Sequence, residues 1–417
     1  MLVPLERQRW SPPLTEPATA QPPDGFGRLS LKTSMLYGAV YLHFGVFSVF
    51  MPVWLKHQGL PASQIGLLAS TPLLLRILFV APVSALADRL RRIREVLFAC
   101  LVLTAALIGS LTFVHGFVPI AIFFVVLSMA WDPIPILTDS YAVAAVRVRG
   151  LDFGRMRVWG SLAHILANLA GAAIIDRAGI GLVPTITAVL LLVPLAVIPF
   201  LPRDRNFGDP VPAAKGEWTR LLKDRPLMVV LFATSLILGS QGLFGAFAAI
   251  QWTAKGFPNV LIAGLNGVGI AAEIAILWVC QRMLGGRSPL VLILVMGGLT
   301  VVRWLLMMLD PGPVLLVPIQ MLQGCGMGVV AGLMLFIAQR APAHLMATAQ
   351  GLYAVIVGII AALIVAASGF LWQAFGSRAY LAMALVTLVG LAMVGLQWMR
   401  QDRPPGGVQT IAAEAVG

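Results

Sequence analysis

The run HFGVFSVFMPVW (43–54) has a counterpart in the second half of the chain, QGLFGAFAAIQW (241–252). Each places a polar residue, His43 or Gln241, eleven positions before a tryptophan, Trp54 or Trp252. QGLP (58–61) and KGFP (255–258) follow, one residue out of step. Fifteen positions beyond Pro61 stands Arg76, and fifteen beyond Pro258 stands Glu273. The ordered series reads as an internal duplication with charges of opposite sign at equivalent places in the two halves. Both charges lie within apolar runs. A duplicated bundle of apolar helices is the design in which solute sits at the midplane between repeats and access alternates by rocking.

The rest of the chain keeps this character. Of 417 residues, 59% are apolar and 11% charged, against about 45–50% and about 25% in an ordinary soluble domain. So few charges cannot cover so much apolar surface in water; the bilayer is the solvent. A crossing helix needs about 20 mostly apolar residues. That template predicts spans near 35–54, 64–87, 95–114, 118–141, 157–175, 180–201, 226–250, 260–282, 288–309, 313–338, 346–372 and 378–399. The expected fold is an all-α membrane protein of twelve transmembrane helices in two pseudo-symmetric six-helix bundles, residues 35–201 and 226–399. The hydrophilic stretch 202–225 is the expected cytoplasmic linker. Residues 1–34 are polar and proline-rich, without the apolar core of a secretory signal, and are expected to form a disordered cytoplasmic tail. Residues 400–417 are expected to form a second tail.

A net charge of +12 is also found in nucleic-acid binders, but here the basic residues sit in short loops between apolar runs, where they set topology. With both termini cytoplasmic, the inner segments hold 23 of the 29 Lys and Arg; the outer loops hold Lys56, Arg177, Lys255 and Arg378. This orientation satisfies the positive-inside rule and implies a multi-pass protein of the cell inner membrane, expected as a monomer. Cys100, Cys280 and Cys325 lie in apolar stretches without metal-ligand spacing, so neither a disulfide framework, a metal site nor a cofactor is expected. No Ser-His-Asp set, HExxH, paired-Cys motif or P-loop is present to support an enzyme. A receptor would need a readout domain, and the hydrophilic segments are too short for one.

Five ionisable residues fall within spans: Arg76, Asp132, Asp139, Glu273 and Arg303. At roughly 2.5–3.5 kcal/mol each on insertion scales, together about 12–18 kcal/mol, they must line a wet cavity, pair, or be neutral. Glu273 shares a helix face with Asn266 and the small Gly269. It reads either as a proton carrier or as a fixed ionic partner of Arg303. Arg303, beside Trp304, could hold a substrate carboxylate or steer Glu273, since guanidinium is a permanent anion-binding fork. Arg76 is a second candidate for an anionic group, or a snorkelling arginine. Asp132, beside Trp131, could take substrate or a proton. Asp139 lies seven residues on, with Pro133 and Pro135 distorting the helix between, and meets Arg157 as a gate or structural pair. In span 5, Arg157, Ser161, His164 and Asn168 form a polar stripe. His164 and mid-span His43 could bind substrate or simply join helices. Gln320, Gln323 and Met327 share a face of span 10, as cavity lining or core.

The loop ALADRLRR (85–92), with Asp88 and Arg89, resembles the signature loop of the major facilitator superfamily. More narrowly, VWLKHQGLPASQIGLL (53–68), DPIPILTDS (132–140), DFGRMRVWGS (152–161), GIAAEI (269–274) and VVRW (301–304) resemble the phenylpropionate permease group of proton symporters, near the lactose and nucleoside permeases. One departure stands out: span 10 carries Gln320 and Gln323 where that group leads one to expect a His. The resemblance implies a proton-driven importer of a small organic solute, an aromatic carboxylic acid by preference. The partners are then protons, solute and lipid, and Asp88–Arg89 serves as a gate. Tyr37, Tyr41, Trp131, Trp304 and Tyr353 offer rings for stacking. A sugar or nucleoside symporter, leaning on carboxylates and amides, and an exporter are the alternatives.

Overall fold

The computed structural model describes residues 25–90, 92–149, 153–202, 218–283, 288–342 and 345–401. Backbone polar groups in hydrocarbon must be satisfied within their own segment, and the spans are accordingly helical. Spans 1–3 are α1 (Gly25–His57), α2 (Ala62–Leu90) and α3 (Ile93–Ser110). Span 4 is α4 (Phe117–Trp131) with α5 (Pro133–Arg149), and spans 5 and 6 are α6 (Phe153–Ala178) and α7 (Val183–Val197). After the short α8 (Trp218–Lys223), span 7 is α9 (Arg225–Gly239) with α10 (Gln241–Ala254). Spans 8 and 9 are α11 (Asn259–Met283) and α12 (Pro289–Met308); span 10 is α13 (Pro313–Met321) with α14 (Gly324–Arg340). Spans 11 and 12 are α15 (Met346–Phe375) and α16 (Ala379–Gln401).

Among the described residues, eleven stretches are long and apolar enough to cross a membrane. The last, Thr348–Arg400, is 53 residues long and is two helices joined by the 3-10 turn Gly376–Arg378, which gives twelve crossings. Large apolar side chains stand exposed around the bundle, Leu78, Ile122, Leu192, Val314 and Leu363 among them, as a lipid-facing belt requires. The first helix corrects one expectation. Residues 25–34, assigned by sequence to the tail, are the opening turns of α1, because a hydropathy template registers only the apolar part of a helix that continues into the headgroup layer. Residues 1–24 and 402–417 of the tails, and 203–217 of the linker, lie outside the described residues.

Spans 4, 7 and 10 are each interrupted mid-membrane for a legible local reason. Pro133 cannot donate to the turn before it, so α4 stops at Asp132. At the second break Gly239 precedes Ser240, whose hydroxyl donates back to the Ile237 carbonyl at 2.7 Å, a geometry that bends helices. At the third, Gly324 lets α14 ride against α11, where a β-carbon would lie 2.6 Å from the Ala272 carbonyl oxygen.

Among the described residues the halves share an apolar core at one end. On the expected orientation, the outer end is where α1 gives way to α2. There a single apolar cluster runs through both bundles, taking in Trp54, Leu68 and Phe124 of the first half and Phe247, Trp252 and Tyr380 of the second. At the inner end the cores are separate: Leu36, Leu97 and Tyr141 belong to one, Leu227, Leu290 and Phe336 to another. The outer seal is built on backbone proximity. A β-carbon on Gly66 of α2 would fall 2.7 Å from the Cα of Gly369 on α15, and one on Gly369 would fall 2.6 Å from the Ala62 carbonyl oxygen. Beside them the Ser63 amide donates to Gln373 Oε1 at 3.3 Å. Asp176, at the end of α6, accepts from the backbone N–H of Asn259 (3.0 Å) and Val260 (3.2 Å) and from Asn259 Nδ2 (2.7 Å), capping α11 across the bundle boundary. Gly66→Leu should hold the outer ends apart. In a cysteine-free background carrying Ser48→Cys, a membrane-impermeant thiol reagent added outside should label Cys at that position much faster than in the Gly66 parent.

Candidate functional site

Where the outer seal ends, a cavity of about 360 Å³ opens between α1 and the broken spans 7 and 10. Its polar wall is Gln241, Asn266, Glu273 and Gln323; Phe244, Trp252 and Met327 supply apolar surface, and Ser48 contributes from α1. Polar residues converge here because α10 starts at Gln241, α14 starts one residue after Gln323, and Asn266 and Glu273 are two turns apart on one face of α11.

Behind this wall lies Arg303, 0% exposed. Its Nη1 donates to Gln241 Oε1 at 2.6 Å, and its Nη2 to Gln323 Oε1 at 2.8 Å and Gln320 Oε1 at 3.2 Å. The guanidinium also lies 4.3 Å from the centre of the Phe244 ring and 4.7 Å from that of Trp304, a cation–π cradle. Arg303 and Glu273 are linked through a neutral go-between. Gln323 accepts from Arg303 with its carbonyl and donates from Nε2 to Glu273 Oε1 at 3.0 Å. Gly269 makes room for this amide: a β-carbon there would sit 2.9 Å from Gln323 Cδ. The sequence-derived pairing of Glu273 with Arg303 is therefore indirect, and no ion pair joins them among the described residues. An amide carries no net charge, so this link leaves the carboxylate beside the cavity free of a bound counter-ion.

The other expected residues divide between the halves. Asn168 Nδ2 of α6 donates to Asn266 Oδ1 of α11 at 3.0 Å, tying the bundles together below the outer seal. Gln320 is fully buried behind Gln323. Trp304 does not line the cavity: it is buried, donates to Ser240 Oγ at 3.0 Å, and stacks on Tyr380 with ring centres 5.8 Å apart. Consecutive helical residues point about 100° apart, so Arg303 and Trp304 take different neighbours. In the first half, His43 is fully buried, its ring 4.4 Å from Phe44 and 4.6 Å edge-on from Trp131. His164 faces it across the α1–α6 crossing, where Gly45 has no room for a β-carbon against the His164 carbonyl. Trp131 packs on Phe44 and Phe47. Arg76, within α2, is exposed.

At the inner end Asp139 lies 4.0 Å from Arg157 Nη1 and accepts from the Tyr37 hydroxyl at 2.7 Å. The expected Asp139–Arg157 pair is thus assembled, with Tyr37 as a third member. Arg89 is exposed at the end of α2; the side chain of Asp88 lies outside what is described. Sequence reasoning passed over Gln241 as a site residue, although its match to His43 in the duplication was the available signal. Ser240 and Asp176 had no comparable mark.

Residues 31–382 match the family described as MFS_1 like. The chain belongs to the MFS_1-like family. Among curated relatives, this MFS_1-like protein is 26% identical over 360 residues to a probable 3-phenylpropionic acid transporter of Escherichia coli, covering 84% of this chain and 93% of that one. It is 28% identical over 385 residues to a maltose permease of Geobacillus stearothermophilus, covering 89% and 95%. Its fold is that of the nucleoside transporter NupG in its crystal structure, with a TM-score of 0.78 at 16% identity over 89% of this chain and 99% of that one. The protein is a transporter of small solutes, not an enzyme.

Hydrogen bonds to a charged group are worth about 1.5–3 kcal/mol each, and lysine cannot reproduce a planar fork. Arg303→Lys should therefore lower the thermal midpoint of the detergent-solubilised protein markedly, whereas Arg76→Lys, at an exposed arginine, should leave it nearly unchanged. Tryptophan fluorescence on heating checks both.

Proposed function

We propose that this transporter is a proton-coupled symporter that imports a small organic solute across the cell inner membrane by alternating access, with both termini cytoplasmic. The observation that carries the reading is the setting of Glu273. It is an ionisable group on the wall of the central cavity, held by the neutral amide of Gln323 and separated from Arg303 by it. A carboxylate locked to a guanidinium would stay ionised; one held by an amide can exchange its proton with a hydrated cavity as access changes. Asp132, at the break in span 4 and within the field of Arg76, is the corresponding group of the first half. Asp139 and Arg157, joined by Tyr37 within the first half, are the gating residues at its inner end, with Asp88 and Arg89 as a further gate at the inner end of α2.

The test is transport into proteoliposomes with and without an imposed pH gradient. Glu273→Gln keeps an acceptor for Gln323 but cannot release a proton. It should abolish gradient-driven accumulation while solute exchange persists. Normal accumulation by this variant would remove the coupling assignment.

For the solute we favour an aromatic carboxylic acid. Arg76, within span 2, has an exposed side chain, and the cavity adds Phe244 and Trp252 as ring surfaces. The likeness to the probable phenylpropionic acid transporter supports the same class. One observation favours a hydroxyl-bearing solute instead. Arg303 is withdrawn behind the cavity, and the wall itself presents the amides of Gln241, Asn266 and Gln323, groups suited to sugar or nucleoside hydroxyls. Competition separates the two: excess 3-phenylpropionate should suppress uptake far more than maltose or uridine, and Arg76→Gln should remove that preference.

A further inference from the structure

The outer half of the molecule holds a series of cavities that share walls. The central cavity has Ser48 and Gly245 in common with a second, of about 270 Å³, set between α1, α2 and α10. The second has Ile65 in common with a third, of about 320 Å³, at the outer end between the two bundles. That third space is bounded by Lys56, Phe247, Trp372 and Gln373 as well as Ile65.

Lys56 is out of place as a topology signal, since a basic residue on the outer side works against the positive-inside rule. The duplication shows the contrast. Lys255, in the corresponding loop of the second half, gives its ammonium to Asp310, 2.9 Å from Oδ1 and 2.8 Å from the backbone carbonyl. Lys56 has no ion pair among the described residues and faces the cavity instead. Trp372, partly exposed on the wall, is backed by the fully buried Phe247, stacked with ring centres 5.3 Å apart and planes 12° from parallel. The oxygen of the Gln373 amide is held by the Ser63 N–H, which leaves its nitrogen as a further donor. One ammonium, one amide and an aromatic wall around a space of this size match an organic acid that carries a ring.

We propose that this outer cavity is a capture site for an aromatic carboxylate, with Lys56 as the anion's partner and Trp372, held in place by Phe247, as the aromatic surface for its ring. The acid would dwell there while the outer seal is closed and pass by Ile65 toward the central cavity when the halves rock. The inference rests on the aromatic-acid reading above and adds an external site to it.

The experiment measures uptake of radiolabelled 3-phenylpropionate against external concentration, at low and high salt, in proteoliposomes with a pH gradient. Losing a charge-assisted contact corresponds to about a tenfold change in affinity, so Lys56→Gln should raise the external half-saturation concentration about tenfold. It should also remove most of the salt dependence seen in the wild type, because exposed charge attraction is screened. Lys56→Arg should restore both, and Trp372→Leu should raise half-saturation with the salt dependence kept. The thermal midpoint of each variant confirms folding. If the wild type concentrates the acid and a folded Lys56→Gln matches it in half-saturation and salt response, the capture site is wrong and the aromatic-acid reading stands. If the wild type concentrates no aromatic acid, both fall.

Discussion

A permanent positive charge inside the hydrocarbon layer has to be given partners, and the way Arg303 is given them organises the second half of this protein. Three glutamine oxygens and an aromatic ring surround the guanidinium, and no carboxylate is spent on it. Because the partners come from spans 7 and 10 as well as from the break within span 10, the arginine fastens three helices at one depth. It also decides which way Gln323 faces. With its carbonyl committed to Arg303, the amide must present N–H to the other side, where Glu273 waits. Small residues make the arrangement possible: Gly269 vacates the volume of that amide, and Gly324 brings α14 within reach of α11.

The two ends of the molecule are held by different chemistry. The outer seal depends on glycine-permitted contact of main chains, a continuous apolar core and a few hydrogen bonds at helix ends. The inner ends have separate cores, and the polar cluster Tyr37–Asp139–Arg157 ties helices of the first half to one another. Parting the outer ends would expose that shared core, whereas parting the inner ends breaks no common core.

Much of this was legible in the sequence. Hydropathy alone gave the twelve crossings, since span length is fixed by bilayer thickness, and Pro133 with Pro135 announced the kink in span 4. The helical face of Asn266, Gly269 and Glu273 was read correctly because periodicity settles which side chains share a side. What periodicity cannot settle is rotation about the helix axis relative to a neighbour. Arg303 therefore turned out to lie behind the cavity, Trp304 within the core, and Gln320 one layer deeper than Gln323. Gln241 was hidden because glutamine inside an apolar run has no charge to flag it, although the duplication had already set it opposite His43. The start of α1 was missed for another reason: a polar helical extension leaves no hydropathy trace.

The amide-to-amide bond between Asn168 and Asn266 has a mechanical consequence. It joins the halves below the shared outer core and above the separate inner cores, where a fulcrum between two levers would be. Displacement in a rocking body grows with distance from the pivot. Glu273 is seven residues along α11 from Asn266, about 10 Å at 1.5 Å per residue, and the inner tip Met283 is seventeen, about 25 Å, so the acid moves less than half as far as that tip. An acid that moves less than the inner end of its own helix can keep its neighbours while the water beside it changes compartment.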